Sequence, residues 1–387
     1  MQAQSFDPMR KASETIAMRP AIAHIHLQNL LHNYQTLRQR AEHAQIMAVV
    51  KADAYGHGLK CISQTLQQAG CECFAVTDAS EGALLRSYLG KKASIVLLSG
   101  LFESAEVSTC QTHHLTPVIT EEKHVQWLSE KSFTGQVWLK VDTGMQRLGA
   151  KHPEQLIQSC HQHQIALAGI MSHLACADTP AHPLNTVQAD AFYQLHQDIA
   201  PHLPASLLNS AGLIALPQHK HDIVRPGIAL YGAEPIPHEP IGLKPVMQLS
   251  GQVMQIRDVL KGSTLSYGAS FTAKDDMTIA LVCLGYGDGL PRTLSNQGYA
   301  EFQGQHLPIV GRICMDFCLL DVSGSDLEVN DTVTFWGESL SPNTVASLLD
   351  TIPYTLMTGI NQRVPRIPIP PKPQPPFVAH GAAGASG

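Results

Sequence analysis

The apolar run Ile46–Val50 is closed by Lys51, and the stretch Ala52-Asp53-Ala54-Tyr55-Gly56-His57-Gly58 follows it. A lysine at the end of a buried strand is partly stripped of water, which disfavours the ammonium and frees the amine as a nucleophile or Schiff-base former. A lysine equally suits the solvated end of any strand, and this segment alone leaves both readings open. Two more residues stand at the same kind of position. His173, in Met171-Ser172-His173-Leu174-Ala175, ends a later apolar run, and Arg225 ends another just before Pro226-Gly227. Taken alone, the first is an ordinary strand-end histidine and the second a surface arginine. They acquire chemistry together only in an architecture that gathers their strand ends.

Such an architecture is written in the rhythm of the chain. From about residue 28 to 231, short apolar runs alternate with longer helix-like stretches. The runs are Ile46–Val50, Cys73–Val76, Ile95–Leu98, Pro117–Ile119, Val137–Val141, Leu167–Met171, Leu207–Asn209 and Ile223–Tyr231. Amphipathic segments lie between them at Leu59–Ala69, Glu81–Leu89, Glu121–Lys131, Glu154–His163 and Thr186–Leu203. Before the first run, Leu27–Ala41 carries Leu27, Leu30, Leu31, Tyr34 and Leu37 on one helical stripe. Runs apolar on both faces suit a parallel sheet covered on both sides. Eight of them with helical crossovers predict an α/β fold of the closed (β/α)8, TIM-barrel type, in which active sites lie at the C-terminal strand ends.

After about residue 235 the texture changes. Pro235, Pro237, Pro240 and Pro245 punctuate a linker, and short Val/Thr/Ile-rich runs with regular glycines follow, which predicts a mostly-β domain. The expected organisation is a flexible extension over 1–20, a barrel over 21–235 and a β domain over 236–368, with an N-terminal strand near 22–27 pairing with the latter. A Pro-rich, then Gly/Ala-rich tail over 369–387 is expected to be disordered. No internal repeat of fixed period is visible.

Composition excludes several functions. The 387 residues hold 26 Lys plus Arg against 32 Asp plus Glu, a formal charge of −6, so no basic excess exists to neutralise nucleic acid or an anionic membrane. The nine cysteines are scattered through a long chain, which reads as reduced thiols rather than a disulfide framework. Cys71-Glu72-Cys73 and Cys314…Cys318 lack the paired spacing of a zinc site, and no metal is expected. The first twenty residues show no apolar core of a secretory signal, and no apolar run approaches the ~20 residues that span a bilayer. A cytoplasmic protein is expected.

The string Val49-Val50-Lys51-Ala52-Asp53-Ala54-Tyr55-Gly56-His57-Gly58 resembles the pyridoxal 5'-phosphate (PLP) lysine motif of alanine racemases. Leu139–Gly149 (LKVDTGMQRLG), Asn209-Ser210-Ala211-Gly212 and Val224–Gly232 (VRPGIALYG) follow in that family's order. Ser266-Tyr267-Gly268-Ala269, Gly285-Tyr286-Gly287-Asp288-Gly289 and Val310–Asp316 (VGRICMD) complete the series. Matches run from Lys51 to Arg366, and motifs in shared order over a shared two-domain layout carry far more weight than any one of them.

The resemblance implies that Lys51 holds PLP as an imine and then serves as one of two proton-transfer groups. Racemisation needs two, because the proton leaves one face of a planar carbanion and must arrive on the other. The resemblance assigns the second to Tyr267, contributed by the β domain of another subunit, and so implies a homodimer with shared sites. A phenol ionises near pH ~10, so a tyrosine acts as base only where its phenolate is stabilised; His173 resembles the family's histidine in that network. Arg225 falls at the pyridine nitrogen, where a guanidinium donates a hydrogen bond without protonating the ring and so restrains transamination. Tyr55, Ser210, Gly227 and Ile228 match phosphate-binding positions, and Arg147 and the Met315 N–H match the substrate-carboxylate positions. Lys140 matches a lysine often carried as a carbamate facing that arginine, and Tyr286 resembles a residue of the entrance channel. Two departures stand out: Gln146 where a glycine is usual, and Gln362 where many members have a tyrosine just before the RVPR segment.

The activity implied is interconversion of L- and D-alanine, with D-alanine going to peptidoglycan. Amino-acid decarboxylases of the same layout usually carry a Gly-rich phosphate loop and an acid at the pyridine nitrogen; here no such run occurs, and Arg225 takes that position. A non-catalytic PLP carrier would need only the barrel, not a β domain bearing Tyr267 and Met315. A racemase of broader substrate range is the nearer alternative, since one methylene is worth only ~1–3 kcal/mol of discrimination.

Overall fold

The computed structural model describes residues 20–371. All but the last residue of the expected N-terminal extension, and nearly all of the expected tail, lie outside the described residues. The chain enters through β1 (Ala21–His26) and passes without a break into α1 (Leu27–Ala41), whose buried stripe is Leu30, Tyr34, Leu37 and Ala41 with Asn33. The barrel then runs β2 (Gln45–Val49), α2 (Lys51–Gly56), α3 (Leu59–Gln68), β3 (Cys73–Val76), α4 (Ala79–Leu89), β4 (Ser94–Leu97), α5 (Glu106–His113), β5 (Thr116–Ile119) and α6 (Glu122–Glu130). It continues through β6 (Gln136–Lys140), α7 (Pro153–Gln162), β7 (Ala166–Met171), α8 (Pro183–Ile199), β8 (Ala205–Ser206), α9 (Ser210–Ala215) and β9 (Ile223–Val224).

These strands form one eight-stranded parallel sheet in the order β8-β7-β6-β5-β4-β3-β2-β9. The seam between β8 and β9 is closed by the parallel bridge of Asn209 with Arg225 and by Ser206 Oγ donating to the Ile223 carbonyl at 2.7 Å. All four residues of β3 are buried, as a strand covered on both faces requires. The fold is therefore α/β, a nearly closed eight-strand barrel with a separate, mostly-β domain. Two runs expected as strands are shorter or shifted. β8 lies at Ala205–Ser206 rather than Leu207–Asn209, and β9 stops at Val224. Pro226 has no N–H to continue a ladder, and Ile228–Tyr231 instead forms a 3-10 turn.

The second sheet holds β10 (Met247–Val259), β13 (Met277–Val282), β14 (Tyr299–Phe302), β15 (Gln305–Pro308), β16 (Cys318–Asp321), β17 (Thr332–Trp336) and β18 (Arg366–Ile369), with the small hairpin β11 (Thr264–Leu265) and β12 (Phe271–Thr272) beside it. The first strand of the chain belongs to this sheet: β1 pairs antiparallel with β10, Ala21 opposite Gly251, and parallel with β18, Ala23 opposite Arg366. Ile369, assigned from sequence to the tail, is the last residue of β18. Two short helices, α10 (Pro342–Leu348) and α11 (Pro353–Thr358), complete the domain. Helix α11 packs on the turn after Lys51 so closely that a Cβ on Gly56 would lie 2.2 Å from the Met357 carbonyl oxygen. Arg366 Nε donates to the Gly56 carbonyl at 3.0 Å. The β domain thus braces the barrel at its lysine.

Candidate active site

The turn after Lys51 is left-handed. Ala52, Asp53, Ala54 and Tyr55 all have φ near +52 to +53, and Gly56 continues at +78. Left-handed helix costs roughly 1–2 kcal/mol per L-residue, so the turn persists only because its surroundings hold it. The motif residues supply that hold. Asp53 Oδ1 accepts the Leu59 N–H at 2.7 Å. The buried His57 ring places Nδ1 at 3.0 Å from the Ala54 carbonyl and 2.8 Å from the Tyr55 carbonyl, so Nδ1 carries the proton; burial pulls its pKa down to about 4 and keeps the ring neutral. Tyr55 is swung inward against Tyr231, with ring centroids 4.7 Å apart.

The turn aims Lys51 into a cavity of about 490 Å³ at the C-terminal ends of the barrel strands. Lys51, Tyr55, Lys140, Arg147, His173, Ser210, Arg225, Gly227 and Ile228 all line it. Lys140 is the last residue of β6, His173 follows β7, Ser210 follows β8 and Arg225 follows β9. Arg147 comes from the loop after β6, which Asp142 Oδ1 builds by accepting the N–H groups of Gly144 at 2.9 Å and Gln146 at 3.2 Å. Gln146, the departure from glycine, sits at φ +56, a left-handed conformation that explains why glycine suits this position.

Among the described residues, four cations, Lys51, Lys140, Arg147 and Arg225, line the cavity, and no carboxylate does. Their mutual repulsion adds to burial. The Lys51 amine is lowered from its ordinary value by desolvation and then by Arg147. Lys140 falls to about 7 through desolvation, then Arg225, Arg147 and Lys51. Burial draws Arg225 down to about 10, which leaves it a cation at neutral pH. Its guanidinium is fixed by donation to Ser206 Oγ, the Ser172 carbonyl and, at 3.1 Å, the Leu207 carbonyl. Arg225 Nη2 also lies 3.3 Å from His173 Nδ1. An arginine can only donate, so Nδ1 accepts and the His173 proton sits on Nε2. Burial, with Arg225 next, holds His173 well below the ordinary imidazole value and therefore neutral.

The donor set fits PLP. Ser210 Oγ accepts the N–H groups of Gly227 at 2.9 Å and Ala229 at 3.3 Å, which gathers hydroxyl and backbone donors in one corner. Gly227 leaves that corner open: a Cβ there would stand 2.4 Å from Tyr55 Oη. A phosphate is suited to this corner, an aldehyde to Lys51 and a pyridine nitrogen to Arg225. The structure adds a residue that sequence reasoning missed. Tyr354, on α11, lines the cavity with its ring centroid 5.8 Å from that of Tyr55, and burial pushes its phenol up to about 12, so it is a donor. Tyr354 stands eight residues before Gln362, which is itself exposed. Its signal was Ile352-Pro353-Tyr354, where a proline opens a helix.

Two of the expected residues are not in the cavity. Tyr267 is 70% exposed and Met315 53% exposed, both on the β domain. Ser266 Oγ donates to the Arg312 carbonyl, which ties the Tyr267 turn to the loop bearing Met315. The Tyr286 turn is joined to the same loop: Tyr286 N–H donates to the Cys314 carbonyl at 3.0 Å and Gly287 N–H to the Met315 carbonyl at 2.8 Å. Since the peptide is trans, the Met315 N–H points away from the Cys314 carbonyl and hence away from the Tyr286 turn. Arg363 locks this arrangement with Nε at 2.8 Å from the buried Asp288, and Nη2 at 3.0 Å from Asp316 and 3.1 Å from the Met315 carbonyl.

The chain is similar in sequence and fold to known proteins. Residues 25–235 match the family model of the alanine racemase N-terminal domain and residues 246–368 that of the alanine racemase C-terminal domain. The chain is 40% identical over 357 residues to a catabolic alanine racemase of Agrobacterium fabrum, covering 90% of this chain and 92% of that protein. It is 36% identical to an alanine racemase of Vibrio cholerae, covering 90% and 98%. Among solved structures, a biosynthetic alanine racemase from Pseudomonas aeruginosa superposes with TM-score 0.86 at 34% identity, over 91% of this chain and all of that one. One from Bartonella henselae with covalently bound pyridoxal phosphate gives 0.85 at 33% identity, covering 90% and 99%.

Proposed function

The chain belongs to the alanine racemase family, a PLP-dependent isomerase interconverting L- and D-alanine, and from that membership we propose that Lys51 and Tyr267 are its two proton-transfer groups, brought together in a homodimer. PLP, when bound, supplies the electron sink that acidifies the substrate Cα–H. The Lys51 amine, lowered by burial and Arg147, takes or returns the proton on one face of the substrate. Tyr267 of a second copy serves the other face, where the neutral His173 offers its Nε2–H to the phenolate. The observation that carries the dimer is the exposure of Tyr267 and Met315 while the other proposed site residues line one cavity.

Tyr55, Ser210, Gly227 and Ile228 would hold the phosphate, with Tyr354 beside them, and Arg225 would donate to the ring nitrogen without surrendering its proton. Arg147 and the outward Met315 N–H would hold the substrate carboxylate, and Tyr286 flanks the entrance. A Lys140 amine near 7 is half neutral at neutral pH, the state in which an amine adds CO₂, and a carbamate there would give Arg147 an anionic partner. Among the described residues no helix is long and apolar enough to cross a membrane. We place the enzyme in the cytoplasm, supplying D-alanine for peptidoglycan.

Single variants test the roles. Lys51→Ala should lose the borohydride-reducible attachment of PLP. Tyr267→Phe should keep the cofactor and lose racemisation measured by chiral chromatography. Normal racemisation of both enantiomers by Tyr267→Phe would refute the two-base assignment.

A further inference from the structure

We propose that Glu81 is a positioning residue for Lys51, its carboxylate tying the left-handed turn that carries the amine to the start of a neighbouring helix. The inference rests on the reading of Lys51 above. Glu81 is the third residue of α4, whose N-cap, Asp78, already accepts the N–H groups of Ser80 at 2.9 Å and Glu81 at 3.0 Å. In a capping box the carboxylate at this position turns back to the N-cap N–H. Glu81 does something else. Its Oε2 accepts the Thr77 N–H at 2.9 Å, one residue further back, and its Oε1 accepts the Ala52 N–H at 2.6 Å. One carboxylate therefore joins the strand end of β3 to the residue directly after Lys51.

Ala52 opens the left-handed turn, and its amide nitrogen is bonded to the carbonyl carbon of Lys51. Moving that nitrogen moves the lysine. A rotation of roughly 10° about the Lys51 backbone shifts an amine roughly 6 Å away by roughly 1 Å, a displacement that costs up to about a hundredfold in rate. The His57 and Arg366 bonds hold the middle and end of the turn, at Ala54, Tyr55 and Gly56, and Glu81 holds its start. The charge matters as well as the bonds. Lys51 faces Arg147, Lys140 and His173 across the cavity, and Glu81 is the carboxylate that acts on it in the opposite sense.

The test uses the PLP-loaded enzyme. In Glu81→Gln one end of the amide is a donor, so it meets either the Ala52 or the Thr77 N–H with the wrong polarity. Amide exchange over residues 51–56 should quicken, and kcat should fall about tenfold with KM little changed. The primary isotope effect should rise with only one of the two Cα-deuterated enantiomers, the one whose proton Lys51 takes. Glu81→Asp keeps the charge but not the reach, and should show the same pattern more weakly; it serves if the glutamine variant does not fold. Asp78→Ala removes the cap of α4 without touching Ala52, and should lower stability while leaving both isotope effects unchanged. Wild-type kcat and isotope effects in a folded Glu81→Gln, or an equal rise with both enantiomers, would overturn the proposal and leave Glu81 a helix cap. Peptide mapping of the borohydride-reduced wild type keeps the two claims apart. PLP on another lysine would refute the reading of Lys51 and the proposal with it, whereas PLP on Lys51 with unaltered kinetics would refute only the role of Glu81.

Discussion

Two inactive variants, mixed, should make an active enzyme. Lys51→Ala removes the amine that lines the cavity, and Tyr267→Phe removes a phenol that is 70% exposed on the other domain. If each site takes Lys51 from one chain and Tyr267 from the other, a two-fold dimer of the two variants has one site with both defects and one with neither. Random reassociation of equal amounts makes roughly half of the dimers mixed, each with one working site of two, so the mixture should recover roughly a quarter of wild-type activity. Isolated by two different affinity tags, the mixed dimer should reach roughly half. A site assembled within one chain predicts none in either case, because every site then carries one defect. The assay is formation of D-alanine from L-alanine with PLP in excess, after co-expression. A purified mixed dimer with no activity above its parents would refute the shared site.

Two further perturbations probe the cofactor corner and the buried lysine. Gly227→Ala puts a Cβ 2.4 Å from Tyr55 Oη, and Tyr55 is backed by the Tyr231 and Tyr354 rings. The displaced phenol should weaken PLP binding about tenfold, ~1.4 kcal/mol, by equilibrium dialysis; an unchanged Kd would remove Tyr55 and Gly227 from the phosphate site. Lys140 has a pKa near 7 in the folded chain against an ordinary 10.5, so between those values the unfolded chain binds the extra proton. The stability of PLP-free enzyme in CO₂-depleted buffer should therefore rise with pH from about 7 to about 10, read as a denaturant midpoint, and Lys140→Met should flatten that slope. An equal slope in Lys140→Met would mean that another group supplies it.

The barrel was legible because its strands are buried on both faces, so β3 reads as an unbroken apolar run whatever its neighbours do. Strand ends were less so where the backbone's own chemistry intervened: Pro226 halted β9 inside a run that stays apolar to Tyr231. Helix α5 went unread because Glu-Val-Ser-Thr-Cys-Gln-Thr-His buries only Val107 and Cys110, too few to make a stripe. Site residues at strand ends were found through motifs, and the structure brings them to one cavity. Tyr354 escaped because it reaches the cavity from the other domain, on a helix too short to show periodicity. Glu81 escaped for a related reason. Its place at the start of a helix accounts for it locally, and the bond that gives it meaning spans 29 residues.

The cation cluster explains why these distant pieces must coincide. Burial first, and then the mutual repulsion of Lys51, Lys140, Arg147 and Arg225 in a cavity that no carboxylate lines among the described residues, lowers both lysine amines. Under the proposed roles such a site would take three anions: a phosphate in the Ser210–Gly227 corner, a substrate carboxylate at Arg147 and a carbamate on Lys140. Arg225, even buried, stays protonated at neutral pH. The cations that add to burial in lowering the Lys51 amine are thus the groups that would attract the proposed anionic ligands. In the proposed dimer the exposed Tyr267 of the β domain would reach a neighbouring molecule's cavity from outside and serve the opposite face of the substrate.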